Sequence, residues 1–346
     1  MPGIEEVAEL AGVSKATVSR ALSGRGYVSA GTKQRVEHAA SSLGYVVSAN
    51  ASSLVTGRSN NVAVIIPVIN QWFFGGIIEG IERALLAAGY DLLLYNIDKH
   101  LDARRSVFEY YLVRKRVDAI VAVTLEISPD ETEALLALGK PIVGIGGSLP
   151  GIPTFSIDDV AAARLATEHL LSLGHERIVH IGGLKEEEMD FHVHTKRNEG
   201  FTQALAAAGL GREAGHFVPT RFDIPGGHRA GRQVLGDPRT RPTAIFAASD
   251  EIAIGIILAA RELGLSVPED VSIIGIDDHP LAELFGLSSI RQDPGQQGEL
   301  AVALVLEALA AIARGEAPPP ARHTTIPASL VIRTSTSAPR GARIGA

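Results

Sequence analysis

The stretch VAELAGVSKATVSRALSGRGYVSAGTKQRV, Val7 to Val36, decides how the chain begins. Apolar Ile4, Val7, Ala8 and Ala11 recur at helical spacing, which predicts a first helix, and Gly12 supplies the left-handed residue that stops it. Ser14 is placed to cap a second helix from Lys15 to Leu22, with Val18, Ala21 and Leu22 on its inner side. The connection is only Gly12-Val13-Ser14, so the two helices must cross steeply in a helix-turn-helix arrangement. Ser29 caps a third helix carrying Val36, Ala39, Ala40 and Leu43, and Gly44 ends it. So small a bundle buries little surface, and marginal stability is expected.

Beyond it, residues 46–60 read VVSANASSLVTGRSN, small and polar as a linker is. Its middle has helical potential, but a helix of about eight residues is marginal in water, so order there is expected to be conditional. From Val62 short apolar runs alternate with amphipathic stretches. Strands are expected at Val62 to Ile66, Leu92 to Tyr95, Ala119 to Val123 and Ile142 to Ile145, with helices near Phe74 to Ala88, Ala103 to Arg114 and Asp130 to Leu138. A second series runs through Ile178 to Ile181, Phe217 to Val218, Ala244 to Ala247 and Ile273 to Ile276. Alternation of this kind gives parallel sheets with both faces covered, and two series give two lobes, with the ligand crevice outside the carboxyl ends of the strands. Pro318-Pro319-Pro320 and the tail after Thr334 read as loop and frayed terminus.

Composition narrows the function classes. The 346 residues are 46% hydrophobic and 21% charged, as in globular proteins, which excludes disorder and fibre. The absence of cysteine excludes disulfides, a thiol nucleophile and Cys-ligated metal. The longest apolar run, Ile252 to Ala260, is far short of the roughly 18 residues a bilayer needs, so no membrane partner is expected. The start, MPGIEEVAEL, lacks a basic region and an apolar stretch, and a cytoplasmic protein is expected. Net charge is −7, yet residues 1–58 carry six basic and four acidic side chains, leaving −9 on the remainder. A small cationic head on an acidic body suggests division of labour.

The string from Val7 to Val36 resembles the DNA-binding headpiece of the LacI/GalR family of bacterial transcription regulators. The resemblance continues through Ser48 to Arg58, similar to the family's NALARSLRTGR linker, and through GIE at Gly80, EHLLSLGHERI at Glu168, RNEGF at Arg197, AIFAASDEIAIG at Ala244 and VPEDVSIIGIDD at Val267. It implies an all-α helix-turn-helix headpiece over 1–47, a hinge over 48–59 and a two-lobed α/β core, parallel-sheeted like periplasmic sugar-binding proteins, over 60–337, with a tail over 338–346. It further implies a homodimer on double-stranded operator DNA, cytoplasmic at the nucleoid, most simply a repressor, answering to a small-molecule effector of the carbohydrate kind.

In helix-turn-helix proteins the second helix enters the major groove, its N-terminal residues reaching base edges. Those are Lys15 and Ala16, with Arg20 one turn on. Lys and Arg donate to guanine, whereas Ala offers only a methyl contact. Thr17 and Ser19 suit phosphate, although capping is the plainer role for Ser14, Thr17 and Ser19. The resemblance assigns Leu54, with Ala51, to a minor-groove wedge that unstacks a base step; the alternative is an apolar residue packing in a linker. Val47, Ser48 and Ser52 stand where the family has proline, asparagine and arginine, which predicts weaker DNA affinity with a shallower salt slope.

For the effector, the resemblance carries over Phe73, Phe191, Val193, Arg197, Phe222 and Asp277, with Asp250 and Gln292 beside them. An arginine and a carboxylate converging on one cleft grip vicinal hydroxyls or a purine edge, and aromatic faces stack on a ring. The alternatives are caps at strand ends for the aspartates and core for the phenylalanines. Gln71-Trp72-Phe73-Phe74 replaces an NPFF-like segment, and Phe191 and Val193 are apolar where polar groups are common, which leaves a nonsugar effector open. Lys185 to His194 holds a His-x-His pair among carboxylates, but blocks of like charge usually face water, so neither metal nor cofactor is expected. An enzyme has little support: Gly144-Ile145-Gly146-Gly147-Ser148-Leu149 lacks the last glycine of a dinucleotide loop, and no phosphate loop occurs. A binding protein without a DNA role explains the core but predicts an export signal and no headpiece. No C-terminal heptad segment is present, which favours the dimer over a tetramer.

Overall fold

A computed structural model describes residues 2–23, 26–45, 58–97, 101–108, 112, 117–125, 127–183, 192–211 and 215–340, the side chains of 23 and 101–103 excepted. The chain divides into two compact units, Met1–Asn61 with Lys115–Asp118, and Val62–Arg114 with Ala119–Ala346.

The first unit holds α1 (Ile4–Ala11), α2 (Lys15–Ser23) and α3 (Ala30–Leu43). Gly12 adopts φ 66° and turns the chain out of α1, while the Val13 N–H donates to the Ala8 carbonyl at 3.0 Å. Ser14 Oγ accepts from the Thr17 N–H at 3.2 Å and Ser29 Oγ from the Thr32 N–H at 3.3 Å, so both expected caps are present. The core is Val7, Val18 and Val36, each fully buried, surrounded by Ala8, Ala11, Ala21, Ala39 and Ala40. With alanine as the commonest core residue, little apolar area leaves water, and the bundle's stability is correspondingly small. Where the linker ends, the Asp118 carboxylate accepts from the Ser59 N–H at 2.9 Å and the Asn60 N–H at 2.8 Å.

The second unit follows the expected alternation. Its chain order is β1 (Asn61–Ile66, its first residue assigned to the other unit), α4 (Trp72–Ala87), β2 (Asp91–Asn96), α5 (Leu101–Ser106), β3 (Ala119–Val123), α6 (Pro129–Ala137), β4 (Ile142–Ile145) and β5 (Thr154–Ile157). Then come α7 (Asp159–Ser172), β6 (Ile178–Gly183), α8 (Val193–Ala207), β7 (Gly215–Thr220), α9 (Ile224–Leu235), β8 (Ala244–Ala247), α10 (Asp250–Glu262), β9 (Ser272–Asp277), α11 (Leu281–Phe285) and β10 (Ser288–Arg291). The chain closes with α12 (Pro294–Ala313), β11 (His323–Ile326) and β12 (Ser329–Val331). One sheet has the order β11-β5-β4-β3-β1-β2, the other β12-β10-β9-β8-β6-β7. Every described pairing is parallel except β10 with β12. Val62 to Ile66 and Ala119 to Val123 are buried without alternation, as strands covered on both faces must be.

Glycine sets how closely the covering helices pack. A Cβ on Gly80 of α4 would stand 2.1 Å from the Gly295 carbonyl oxygen at the start of α12, and one on Gly255 of α10 would stand 2.2 Å from the Ile224 carbonyl oxygen of α9. The GIE and AIG motifs are therefore packing requirements. Helix α12 is long and apolar enough to cross a membrane by length and composition, with mean hydropathy 1.4, but its Ala301, Val302, Val305 and Leu309 are buried in the core shared with α4 and the first sheet.

The fold departs from expectation at three places. The four strands β5, β10, β11 and β12 were not expected, because TFSI, SSIR, HTTI and SLV are too polar or too short to read as apolar runs. Their polar side chains are answered locally: Thr154 Oγ1 lies 2.9 Å from His323 Nδ1, and Ser289 Oγ donates to Asp250 Oδ1 at 2.7 Å. The chain just after Thr334 is not frayed. Ser335 is buried, its Oγ donates to the Ile273 carbonyl at 2.6 Å, and the Ser337 carbonyl lies 2.8 Å from His175 Nε2. The helix expected over Ala103 to Arg114 is described as α5 over Leu101–Ser106, and much of the remainder lies outside the described residues.

Candidate functional site: an exposed recognition helix and an inter-lobe cavity

On α2, Lys15, Ala16, Ser19 and Arg20 are exposed and Thr17 half-buried, while Val18 and Ala21 face the core. Lys15 Nζ is ion-paired with Glu5, and Arg20 Nε donates to the Ala16 carbonyl at 3.2 Å. Thr17 Oγ1 lies 2.9 Å from Ser14 Oγ, so part of its hydrogen-bonding capacity is spent within the turn. The assigned wedge residues Leu54 and Ala51 lie outside the described residues.

In the second unit, the carboxyl ends of both sheets face one cavity of about 640 Å³, counting its open mouth. One lobe contributes Gln71, Phe73 and Phe74 after β1, Thr124 after β3, Gly146 after β4, and Ser156 and Ile157 from β5. The other contributes Asp159, Val193 and Arg197 from its helices, Phe222 after β7, Ser249 and Glu251 after β8, and Asp277 at the end of β9. Gln292 and Gln297 line it where the chain crosses back. Of the sequence-predicted residues, Phe73, Val193, Arg197, Phe222, Asp277 and Gln292 are thus brought together. Phe191 lies outside the described residues.

Asp250 does not line the cavity. It is fully buried, its Oδ2 accepting from the His279 N–H at 2.8 Å and its Oδ1 from Ser289 Oγ at 2.7 Å, so it ties α10 to the segment after β9. Burial first, and then the charge of Asp277, push its carboxyl up to about 8. Among the residues that sequence reasoning passed over, Asp159, Thr124, Glu251 and Gln297 line the space instead. Asp159 had a signal, since the Asp158-Asp159 pair sits between the TFSI run and a helical pattern, where a cap and a second carboxylate at a strand end are both legible.

The polar groups form two chains. Arg197, 5% exposed, donates from Nε to Asp159 Oδ1 at 2.9 Å and from its Nη1 to the Ala248 carbonyl. Gln297 Nε2 donates to Gln292 Oε1 at 3.3 Å, and Gln292 Nε2 donates to Asp277 Oδ1 at 2.7 Å. Burial raises the Asp277 carboxyl, against which the Arg197 charge and the Gln292 bond act. Burial also pushes Glu251 up to about 7, with the charges of Asp277 and Asp223 adding to it. Backbone strain is concentrated here: Thr124 has φ 44° and Asp277 φ 131°, both left-handed values in residues with a Cβ. Thr124 is 5% exposed and its Oγ1 has no hydrogen-bond partner. Phe73 meets Phe74 edge to face at 5.5 Å between centroids, and Phe222 lies 4.6 Å from the His194 ring. His194 is buried and His192 exposed, and among the described residues no group of three metal-ligating side chains gathers.

A headpiece with an exposed second helix, followed by two parallel-sheet lobes around a cavity that mixes apolar and charged side chains, defines a ligand-responsive DNA-binding regulator. Residues 3–48 match the model of bacterial regulatory proteins of the lacI family, and residues 167–336 match that of periplasmic binding protein-like domains. The chain belongs to the LacI family of bacterial regulatory proteins. It is 34% identical over 302 residues to the HTH-type transcriptional regulator DegA of Bacillus subtilis (strain 168), covering 85% of this chain and 88% of that protein. Among solved structures it is similar to a lac repressor dimer bound to operator and the anti-inducer ONPF, at TM-score 0.83 and 25% identity, covering 97% of this chain and 99% of that one. It is also similar to a complex of the transcriptional regulator CelR with cellobiose, at TM-score 0.69 and 27% identity, covering 97% and 100%. These relatives are regulators, and enzymatic activity has no counterpart among them.

Proposed function

We propose that the chain is a transcriptional repressor that binds a pseudo-palindromic operator as a homodimer and is controlled by a small molecule held between the lobes. The observation that carries this reading is one chain joining a helix-turn-helix whose α2 exposes Lys15, Ala16, Ser19 and Arg20 to a cavity ringed by Arg197, Asp159 and Asp277. Two headpieces on a twofold axis read two half-sites, because isologous symmetry places the same helix on each. Lys15 and Arg20 supply donors to base edges, Ala16 a methyl contact, and Thr17 and Ser19 hydroxyls to phosphate. Leu54, with Ala51 beside it, is assigned to the minor groove. The functional divisions are 1–47 for the headpiece, 48–59 for the hinge, 60–337 for the core and 338–346 for the tail. Action at the nucleoid in the cytoplasm follows from an operator on the chromosome.

In the core, Phe73 and Phe222 supply aromatic faces and Val193 an apolar wall. Arg197, Asp277 and Gln292 supply polar contacts, the arrangement that small-molecule sites share. A ligand that fits one disposition of the lobes better than another shifts the population toward it, and a coupling of about 1–3 kcal/mol to the DNA site suffices for regulation. The test is capture of genomic fragments by the purified full chain, with and without a panel of sugars and nucleobases. The expected result is enrichment of inverted repeats that one panel member alters; enrichment no different from scrambled competitor overturns it.

A further inference from the structure

Where the assigned hinge meets the core, one carboxylate gathers the chain. Ser59 is the last residue of that hinge and Asn60 the first of the core, and Asp118 stands immediately before β3. Asp118 Oδ1 accepts from the Ser59 N–H at 2.9 Å and from Ser59 Oγ at 3.0 Å, while Oδ2 accepts from the Asn60 N–H at 2.8 Å. The Asp118 N–H in turn donates to the Asn61 carbonyl at 2.8 Å. Three consecutive residues are thus bound to one residue far along the chain. Each backbone residue has two soft dihedrals, so a chain that leaves a fold through an unrestrained residue swings freely. Two adjacent N–H groups on the two oxygens of one carboxylate fix both peptide planes, and bonds to such an acceptor are the stronger kind. Asn60 is held at φ 53°, a left-handed value that asparagine tolerates better than most residues, so the chain also turns at this clamp. The pairing of β1 with β3 does not need these side-chain bonds, since its register runs from Val62 with Ala119 onward.

We propose that Asp118 is a positioning residue for operator binding: by fixing residues 59 and 60 it fixes the direction in which each hinge leaves its core, and with it the half-site spacing that the dimer accepts. This rests on the homodimer and hinge of the proposed function and adds to them the residue that sets their geometry. Two headpieces on one dimer bind as a tethered pair, and the second arrives at an effective concentration set by the reach and stiffness of its tether. A stiff exit concentrates it at one separation. A loose exit spreads it over many, which lowers affinity for the matched site and narrows the margin over mismatched spacings. Binding to a single half-site does not use the tether's direction at all.

The experiment takes an inverted repeat recovered by genomic capture and compares three duplexes: the repeat itself, the repeat with one base pair inserted at its centre, and a single half-site. Binding of the full-length chain to each is measured at one fixed salt concentration. The unaltered chain is expected to favour the native repeat over the inserted one about tenfold or more. Asp118→Ala is expected to cut that ratio about threefold or more, with half-site affinity within about twofold of the unaltered chain. Asp118→Asn keeps one acceptor oxygen and is expected to fall between the two; it is judged by the same ratio if unfolding midpoints show that Asp118→Ala does not fold. A spacing ratio unchanged in both variants, or a half-site affinity that falls as far as that for the whole repeat, overturns the inference. If no inverted repeat is enriched from genomic fragments, the regulator reading falls and this inference falls with it. If repeats are enriched and the spacing ratio does not move, only the role of Asp118 falls.

Discussion

Residue identity signals the cavity unevenly. Arg197, Phe222 and Asp277 could be placed because the resemblance to the family carries effector roles onto those positions, to which an arginine, an aromatic ring and a carboxylate are suited. Thr124 and Glu251 could not, since a threonine after an apolar strand and a glutamate in a helix's first turn are ordinary until burial and neighbours make them unusual. The Arg197–Asp159 pair, 6% and 5% exposed, predicts a stability effect that sequence alone does not. Arg197→Met leaves the Asp159 carboxylate buried without its partner and is expected to cost about 3–5 kcal/mol in chemical denaturation, whereas adding Asp159→Asn recovers most of the loss. A double variant as unstable as the single one would show that the pair is not the cause. Asp250 carries a pH prediction. Its folded carboxyl keeps its proton up to about 8 where the unfolded chain has lost it, so stability falls as pH rises through that window. Buried His180, held down to about 3 by burial, acts in the opposite sense, but only below its ordinary value of 6.5. Between pH 6.5 and 8 the unfolding midpoint of the ligand-free chain is therefore expected to fall, at up to about 1.4 kcal/mol per pH unit from this group. Asp250→Asn lowers the slope; a midpoint that rises over the same interval contradicts the argument.

At the scale of elements, the strands that could be read were those whose whole side-chain set is apolar, such as Val62 to Ile66. The strands that escaped are TFSI, SSIR, HTTI and SLV, whose described polar partners are distant in sequence: Thr154 meets His323, 169 positions on, and Ser289 meets Asp250, 39 positions back. Period and hydrophobicity report burial against a core; they do not report a hydroxyl that will be satisfied by a residue on another element of the sheet. Helix packing was legible only as motifs, and the structure supplies their reason. Gly80→Ala drives a methyl toward the Gly295 carbonyl and must separate α4 from α12, with an expected loss of about 2–3 kcal/mol. Gly75, on the same helix, is exposed with nothing within 4 Å of an added Cβ, so Gly75→Ala is expected to stabilise by about 0.5–1 kcal/mol through helix propensity. Thermal unfolding of the two variants should move in opposite directions, and a shared direction would remove packing as the explanation.

At the scale of the whole molecule, regulation requires that occupancy of the cavity and grip on DNA share free energy, and linkage makes that sharing symmetric. A ligand that changes operator affinity by a factor of about 5–150 must find its own affinity changed by the same factor when the operator is present. The exchange has to cross the segment assigned as the hinge, residues 48–59, and Leu54 gives a handle on it. A wedge that unstacks a base step contributes only where a bent specific site forms, while nonspecific binding rests on phosphate neutralisation. Leu54→Ala is therefore expected to weaken operator binding about tenfold or more and to leave nonspecific binding nearly unchanged, measured side by side at fixed salt. Because Ser52 stands where the family places an arginine, the wild-type salt slope should be shallower by about one phosphate contact per subunit, and Ser52→Arg should restore it. If Leu54→Ala lowers both affinities equally, the side chain serves the fold of the linker rather than the groove. The coupling between cavity and operator would then have to run through some other element of the dimer.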